Sequence, residues 1–163
     1  MDYYDLRDVT KFGISEEALN SYQILFIPEN YKDCSEKEQL FNSIDSVDLY
    51  KELKSQGINC ADFTDLGVEV GFLERRNSDT WLDVIWVLNS IALPFLINIL
   101  TGILLPKIQK EKTSNKKKPL PKVHIELIIK KGKDDSTSFK YSGDAESLSK
   151  ILKSLSTGNQ DAD

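Results

Sequence analysis

Val84-Ile-Trp-Val-Leu-Asn-Ser-Ile-Ala-Leu-Pro-Phe-Leu-Ile-Asn-Ile-Leu-Thr-Gly-Ile-Leu-Leu105 runs without one ionisable side chain, in a chain where 29% of residues are charged. About 20 apolar residues cross a bilayer core, so the run is long enough to do so. At about 100° per residue on a helix, Asp83, Ser90, Pro94, Asn98 and Thr101 fall within one arc of about 80°. Asn89 lies outside it. A stripe of polar and small residues suits a helix packed on other helices, or on a copy of itself in a membrane. A buried helix or helical hairpin of a soluble domain carries one equally well. Pro94 either kinks a continuous helix or begins a second one. Trp81 and Trp86, at the start of the run, fit a membrane-interface belt or core packing. Three placements stay open: a membrane span, a protein-buried helix and an interfacial helix.

The flanks of the run are charged, with opposite balance. Of the formal net charge of −5, residues 1–80 supply about two acids for each base. Lys107–Lys122 holds seven lysines and a single acid, Glu111. A basic segment beside an apolar one marks an anionic surface, with Lys116, Lys117 and Lys118 as the contact residues, or else a solvated linker. Pro106, Pro119 and Pro121 bracket it, which predicts an extended linker over 107–121. By the bias of lysines towards the cytoplasmic side, residues 107–163 belong in the cytoplasm. The N-terminus is acidic and lacks the apolar core of a secretory signal, so a single span would carry residues 1–80 across without one. A hairpin, re-entrant or partner-covered arrangement avoids this, and the expected location is the cytoplasm, at the inner face of the membrane.

On the N-terminal side, Gln23-Ile-Leu-Phe-Ile-Pro28 reads as a buried strand ended by proline. A short helix is expected at Ser15–Asn20. Ser35 with Glu36 and Glu38 makes a capping box, followed near helical spacing by Leu40, Phe41, Ile44, Val47 and Leu53, with Gly57 as the stop. Ile58–Phe63 and Val68–Leu73 are candidate strands. On the C-terminal side, Val123, Ile125, Leu127 and Ile129 alternate with His124, Glu126, Ile128 and Lys130, with Ile128 out of pattern. A turn at Lys131–Ser136 leads to a second strand marked by Phe139 and Tyr141. Asp144 then caps a helix with Ala145, Leu148, Ile151, Leu152 and Leu155 on one face. The reading is an α+β fold: an acidic α/β-like lobe (1–80), one long apolar helix (81–106), the lysine linker (107–121), a ββα unit (122–156) and a frayed tail (157–163).

No sequence pattern for catalysis is visible: GxGxxG, GxxxxGKS/T and GxSxG are all absent. Asp62 and Asp65 read as surface acids and His124 as a solvent-facing residue. Two cysteines, Cys34 and Cys60, and a single histidine do not make a zinc site or a disulfide framework. No catalytic residue, metal site or cofactor is expected, and nucleic acid is not the expected partner. The residues singled out are Trp81, Trp86, Pro94, Asn98 and Thr101 on the apolar segment, with a protein partner, a second copy or an anionic membrane as what they meet.

Leu82-Asp83-Val84 leading into the apolar run, the strand Val123-His-Ile-Glu-Leu-Ile-Ile129, and Asp144-Ala145-Glu146 with Leu148, Leu152 and Leu155 together resemble the effector-associated constant components of bacterial conflict systems, over about residues 80–155. That resemblance implies an accessory part of an antiphage defence system, with a separate effector doing the chemistry. The expected function is therefore a non-enzymatic, membrane-associated adaptor. The alternatives are a membrane-perturbing effector whose apolar helix oligomerises, and a soluble enzyme of unrecognised type.

Overall fold

The apolar run is two elements. In the computed structural model, which describes residues 13–31, 40–73, 79–113, 121–131 and 135–161, its first part lies in strand β5 (Thr80–Val87) and its second in helix α3 (Leu93–Thr113). This corrects the single helix expected over 81–106. Residues 80–87 are rich in tryptophan and β-branched side chains, which favour strands. A strand covered on both faces shows no alternation, so length and charge alone do not separate it from a helix. The break falls at Asn89, whose Oδ1 accepts the Ile91 N–H at 3.0 Å and opens the short 3₁₀ turn Ser90–Ala92 ahead of α3.

β5 is the middle of a five-stranded mixed sheet, in the order β3-β1-β5-β6-β7. β1 (Ile24–Ile27) pairs antiparallel with β5 and parallel with β3 (Cys60–Asp62). β6 (Val123–Lys131) runs parallel to β5, and β7 (Asp135–Gly143) antiparallel to β6. The fold is α+β, and the two expected lobes are the two sides of this sheet. What joins them is a strand.

Helices α2 (Ser46–Ser55), α3 and α4 (Ala145–Asp161) cover one sheet face, over Ile24, Phe26, Ile85, Val87, Val123, Ile125, Leu127 and Ile129. α3 is the middle helix: α2 packs on it from the β3 side and α4 from the β7 side. The opposite face has its own core, in which Leu25, Ile27, Val84, Trp86 and Ile128 meet Leu19 of helix α1 (Glu16–Asn20) together with Tyr31, Leu40, Phe63 and Val68. Ile128, out of pattern in the sequence, is there because its side of β6 is also covered.

Local signals account for several ends. Ser15 caps α1, accepting the Ala18 N–H at 3.1 Å. α2 closes with two bonds, Gly57 N–H to Lys54 C=O and Ile58 N–H to Leu53 C=O, and Gly57 takes the positive φ this ending requires. Asp144 caps α4 through the Ser147 N–H at 2.8 Å, which holds its carboxyl below the usual range. Several boundaries differ from expectation: the strands expected over 58–63 and 68–73 are only Cys60–Asp62 and Gly71–Leu73, and strand occupies residues 131, 135 and 136 of the expected turn. Phe41–Ser43 is a strand, β2, paired in parallel with β4 (Gly71–Leu73), and α2 starts only at Ser46. Ser35, Glu36 and Glu38 lie outside the described residues. α3 continues through Pro106 to Thr113, into the expected linker. Pro106 lies on its exposed side, Leu104 and Ile108 stay packed, and Glu111 accepts the Ala145 N–H at 2.9 Å, tying the last turn of α3 to the start of α4. α4 itself runs on to Asp161, through most of the expected tail.

Candidate functional site

The sheet, α2 and α4 bury Leu93, Leu96, Ile97, Ile99, Leu100 and Leu104 of α3. The remaining direction is outward. From residue 91 to residue 109 the exposed positions are Ile91, Pro94, Phe95, Asn98, Gly102, Leu105, Pro106 and Gln109, with no charge among them. Ile91, Phe95 and Leu105 are 69%, 47% and 54% exposed. Spaced at intervals of four and three, Ile91, Phe95, Asn98, Gly102 and Leu105 form one straight seam. A Cβ at Gly102 meets nothing within 4 Å, so the seam has a dent there. Ser90–Thr113 is long and apolar enough to cross a membrane by length and composition.

The singled-out residues separate. Asn98 lies on the seam, and Pro94 beside it in the first turn, where its missing N–H disrupts nothing. Thr101 is half-buried and donates its hydroxyl to the Asn98 carbonyl at 2.9 Å. Trp86 is in the core beneath the other sheet face. Trp81 is stacked flat on His124, with ring centroids 3.7 Å apart. Asp83, placed on the helical stripe in the sequence reading, is instead a buried acid of β5, accepting Ser43 N–H at 2.7 Å and Ser46 Oγ–H at 2.6 Å. Lys116, Lys117 and Lys118 lie outside the described residues.

Two polar clusters lie away from α3. Pairing of β5 with β6 sets Trp81 beside His124, and Asp79 just ahead of β5 reaches the same imidazole. His124 Nε2 is 3.0 Å from Asp79 Oδ2, its Nδ1 is 2.7 Å from Ser142 Oγ, and Asp79 Oδ1 accepts the Lys122 N–H at 2.9 Å. The hydrogen bond to His124 holds the Asp79 carboxyl below the usual range. Acid, imidazole and hydroxyl are the parts of a nucleophile–base pair with an orienting carboxylate. Here Ser142 is the exposed cross-strand neighbour of a His124 that is half-buried against Trp81 and not solvent-facing as expected, and the arrangement clamps β5, β6 and β7 together. Nothing in the sequence reading linked Asp79 to His124, 45 residues apart, because only strand pairing brings them together.

The second cluster gathers Tyr50, Lys54, Asp62 and Asp65 at the end of α2. The Tyr50 hydroxyl donates to Asp65, and Lys54 Nζ lies 3.7 Å from the same carboxylate and 4.5 Å from the Tyr50 ring centroid. Burial and the bond to Asp65 push the Tyr50 phenol up to about 12. Burial acts to raise the Asp65 carboxyl, but the Tyr50 hydroxyl, the Asp62 backbone and Lys54 outweigh it and hold it low. Burial raises Asp62, and it pushes the Cys60 thiol up to about 11, which leaves that thiol a packed core group. Asp62 and Asp65 thus secure a turn: each accepts the other's backbone N–H, at 2.9 and 3.1 Å. An open cleft beside them is lined by Tyr22, Asn59 and Cys60, and a second by Gln23, Asn89 and Lys130. Neither includes Asp79, His124 or Ser142. Among the described residues, no group of three or more His, Cys, Asp or Glu is placed to hold a metal ion.

Comparison with known protein families, with curated proteins and with solved structures finds no match to this chain.

Proposed function

We propose that this chain is a non-enzymatic interaction subunit that docks through the outward face of α3. The observation that carries the reading is the charge-free seam from Ile91 to Gln109, about 27 Å long at 1.5 Å per residue. Exposed apolar surface of that extent, bordered by charged helices, marks a docking surface more than a solvated one. The sheet beneath holds α3 rigidly, which limits the ordering cost of docking. The resemblance to effector-associated constant components fits a docking subunit whose effector is a separate protein. Membrane attachment is proposed in one form: the seam rests on lipid while the buried side of α3 stays on the sheet. Withdrawing α3 to span a bilayer would strip six buried side chains, at about 1.5–3 kcal/mol each, from a fold whose whole stability is of order 10 kcal/mol.

Photo-crosslinking in intact cells tests the reading. A benzophenone side chain at position 95 or 105 is expected to give adducts, and the same probe at Glu17 or Asn20, exposed on α1 at the opposite face of the sheet, none. Equal yields at all four positions would sink the docking reading.

A further inference from the structure

We infer that the occupant of the α3 seam is a second copy of this chain, packed antiparallel about a two-fold axis at Asn98. The inference rests on the docking reading above and names its partner.

The seam matches its own reverse. With Asn98 on the axis, Ile91 of one copy faces Leu105 of the other, and Phe95 faces the dent at Gly102. The largest exposed side chain of the seam thus meets the position with no Cβ and open space above it. Asn98 meets its own copy, and an amide is both donor and acceptor, so the pair satisfies itself. A polar residue at one seam position also fixes register, because any slip leaves two amides against apolar neighbours. A parallel pairing sets Phe95 on Phe95 and leaves Gly102 opposite Gly102, a clash beside a gap. A two-fold axis needs a patch that complements itself, and the antiparallel arrangement supplies one.

Charge on the flanking helices selects the same arrangement. α2 carries Asp48 in its first turn and Lys54 in its last; α4 carries Glu146 in its first turn and Lys150 and Lys153 further along. The antiparallel axis lays α2 along its own reversed copy, acidic start against basic end. A parallel axis sets acid on acid and lysine on lysine. An anionic lipid surface meets Asp48 and Glu146 along with the lysines, so the rim suits a copy of itself better than a membrane. The outer sides of α2, α3 and α4, taken at about 10 Å per helix, span roughly 700 Å², close to the ~800 Å² each partner gives to a standard interface.

The test uses the full chain with Cys34→Ser, leaving the buried Cys60 in place. Sedimentation equilibrium is expected to show a monomer–dimer equilibrium, weakened about 30-fold or more by Phe95→Asp or by Leu105→Asp. Both positions are exposed, so circular dichroism should show the fold intact. Under mild oxidation, Asn98→Cys is expected to form a disulfide-linked dimer by itself. Ile91→Cys is expected to link to Leu105→Cys in a mixture, and not to itself. Self-linking of Ile91→Cys, with none of the mixed product, would establish a parallel pair and overturn the proposal. A monomer at about 100 μM, where interfaces of this size are generally populated, would overturn it too. In that event adducts at positions 95 and 105 in cells would keep the docking reading, and flotation with anionic vesicles would assign the seam to lipid.

Discussion

Val84–Val87 and Leu93–Leu105 belong to one apolar run, and the structure treats them in opposite ways. The first four residues are buried on both sides, in the middle strand of the sheet. The helical part is buried only where it meets the sheet, α2 and α4, and turns Phe95 and Leu105 outward, in line with Ile91 of the preceding 3₁₀ turn. Apolarity therefore means different things in the two halves. In β5 it reflects two covered faces. In α3 it exceeds what the core uses, and the excess lies along one seam. Hydropathy alone merges the two into a membrane helix; burial separates a core strand from a helix with one outward apolar face.

The sharpest way to break that contrast is truncation on each side of it. Trp86→Ala in β5 is expected to cost about 3–5 kcal/mol in urea unfolding, because it empties a filled part of the second core. Phe95→Ala in α3 is expected to stay within about 0.5 kcal/mol in the monomer. Similar losses for the two would show that the outward face of α3 is packed, and the contrast would be wrong. Next in size is Asp83→Ala. It leaves the Ser43 N–H without its buried acceptor and the Ser46 hydroxyl with only the Ser43 carbonyl, and is expected to cost about 1–3 kcal/mol. A change under about 0.5 kcal/mol would place Asp83 in water, against its burial in β5.

Asn89 marks the boundary between the halves, so its effect should be that of a cap. Asn89→Ala is expected to cost about 1 kcal/mol, with hydrogen exchange speeding up in the first turn of α3 and not in β5. Faster exchange in both would mean that strand and helix open as one unit. The smallest effect concerns acid. Asp79 is held below its ordinary value of about 3.9, so its contribution is full above that value and is lost as pH falls through the lower folded one. Asp79→Asn should flatten the acid side of the stability–pH curve through the strand side of the molecule, where the His124 clamp sits. Parallel curves for wild type and variant would show that the clamp adds nothing.

Sequence alone carried the elements whose signals are local. The short helix near Ser15–Asn20, the Asp144 cap, the Gly57 ending, the β1 run and the alternation of Val123, Ile125, Leu127 and Ile129 each depend on a few adjacent residues, and each appears in the structure where it was read. Even the capping signal Asn89-Ser90 was present, masked by the length of the run around it. Tertiary structure decided the rest. A strand covered on both faces has no period of its own, so residues 80–87 are a strand because β1 and β6 bond to their two edges. Asp79 meets His124 because that same pairing brings distant residues side by side. The α3 seam is outward because two helices and a sheet already occupy its other sides. Local physics can state which side chains are apolar; only the positions of neighbours fix which of them remain for a partner.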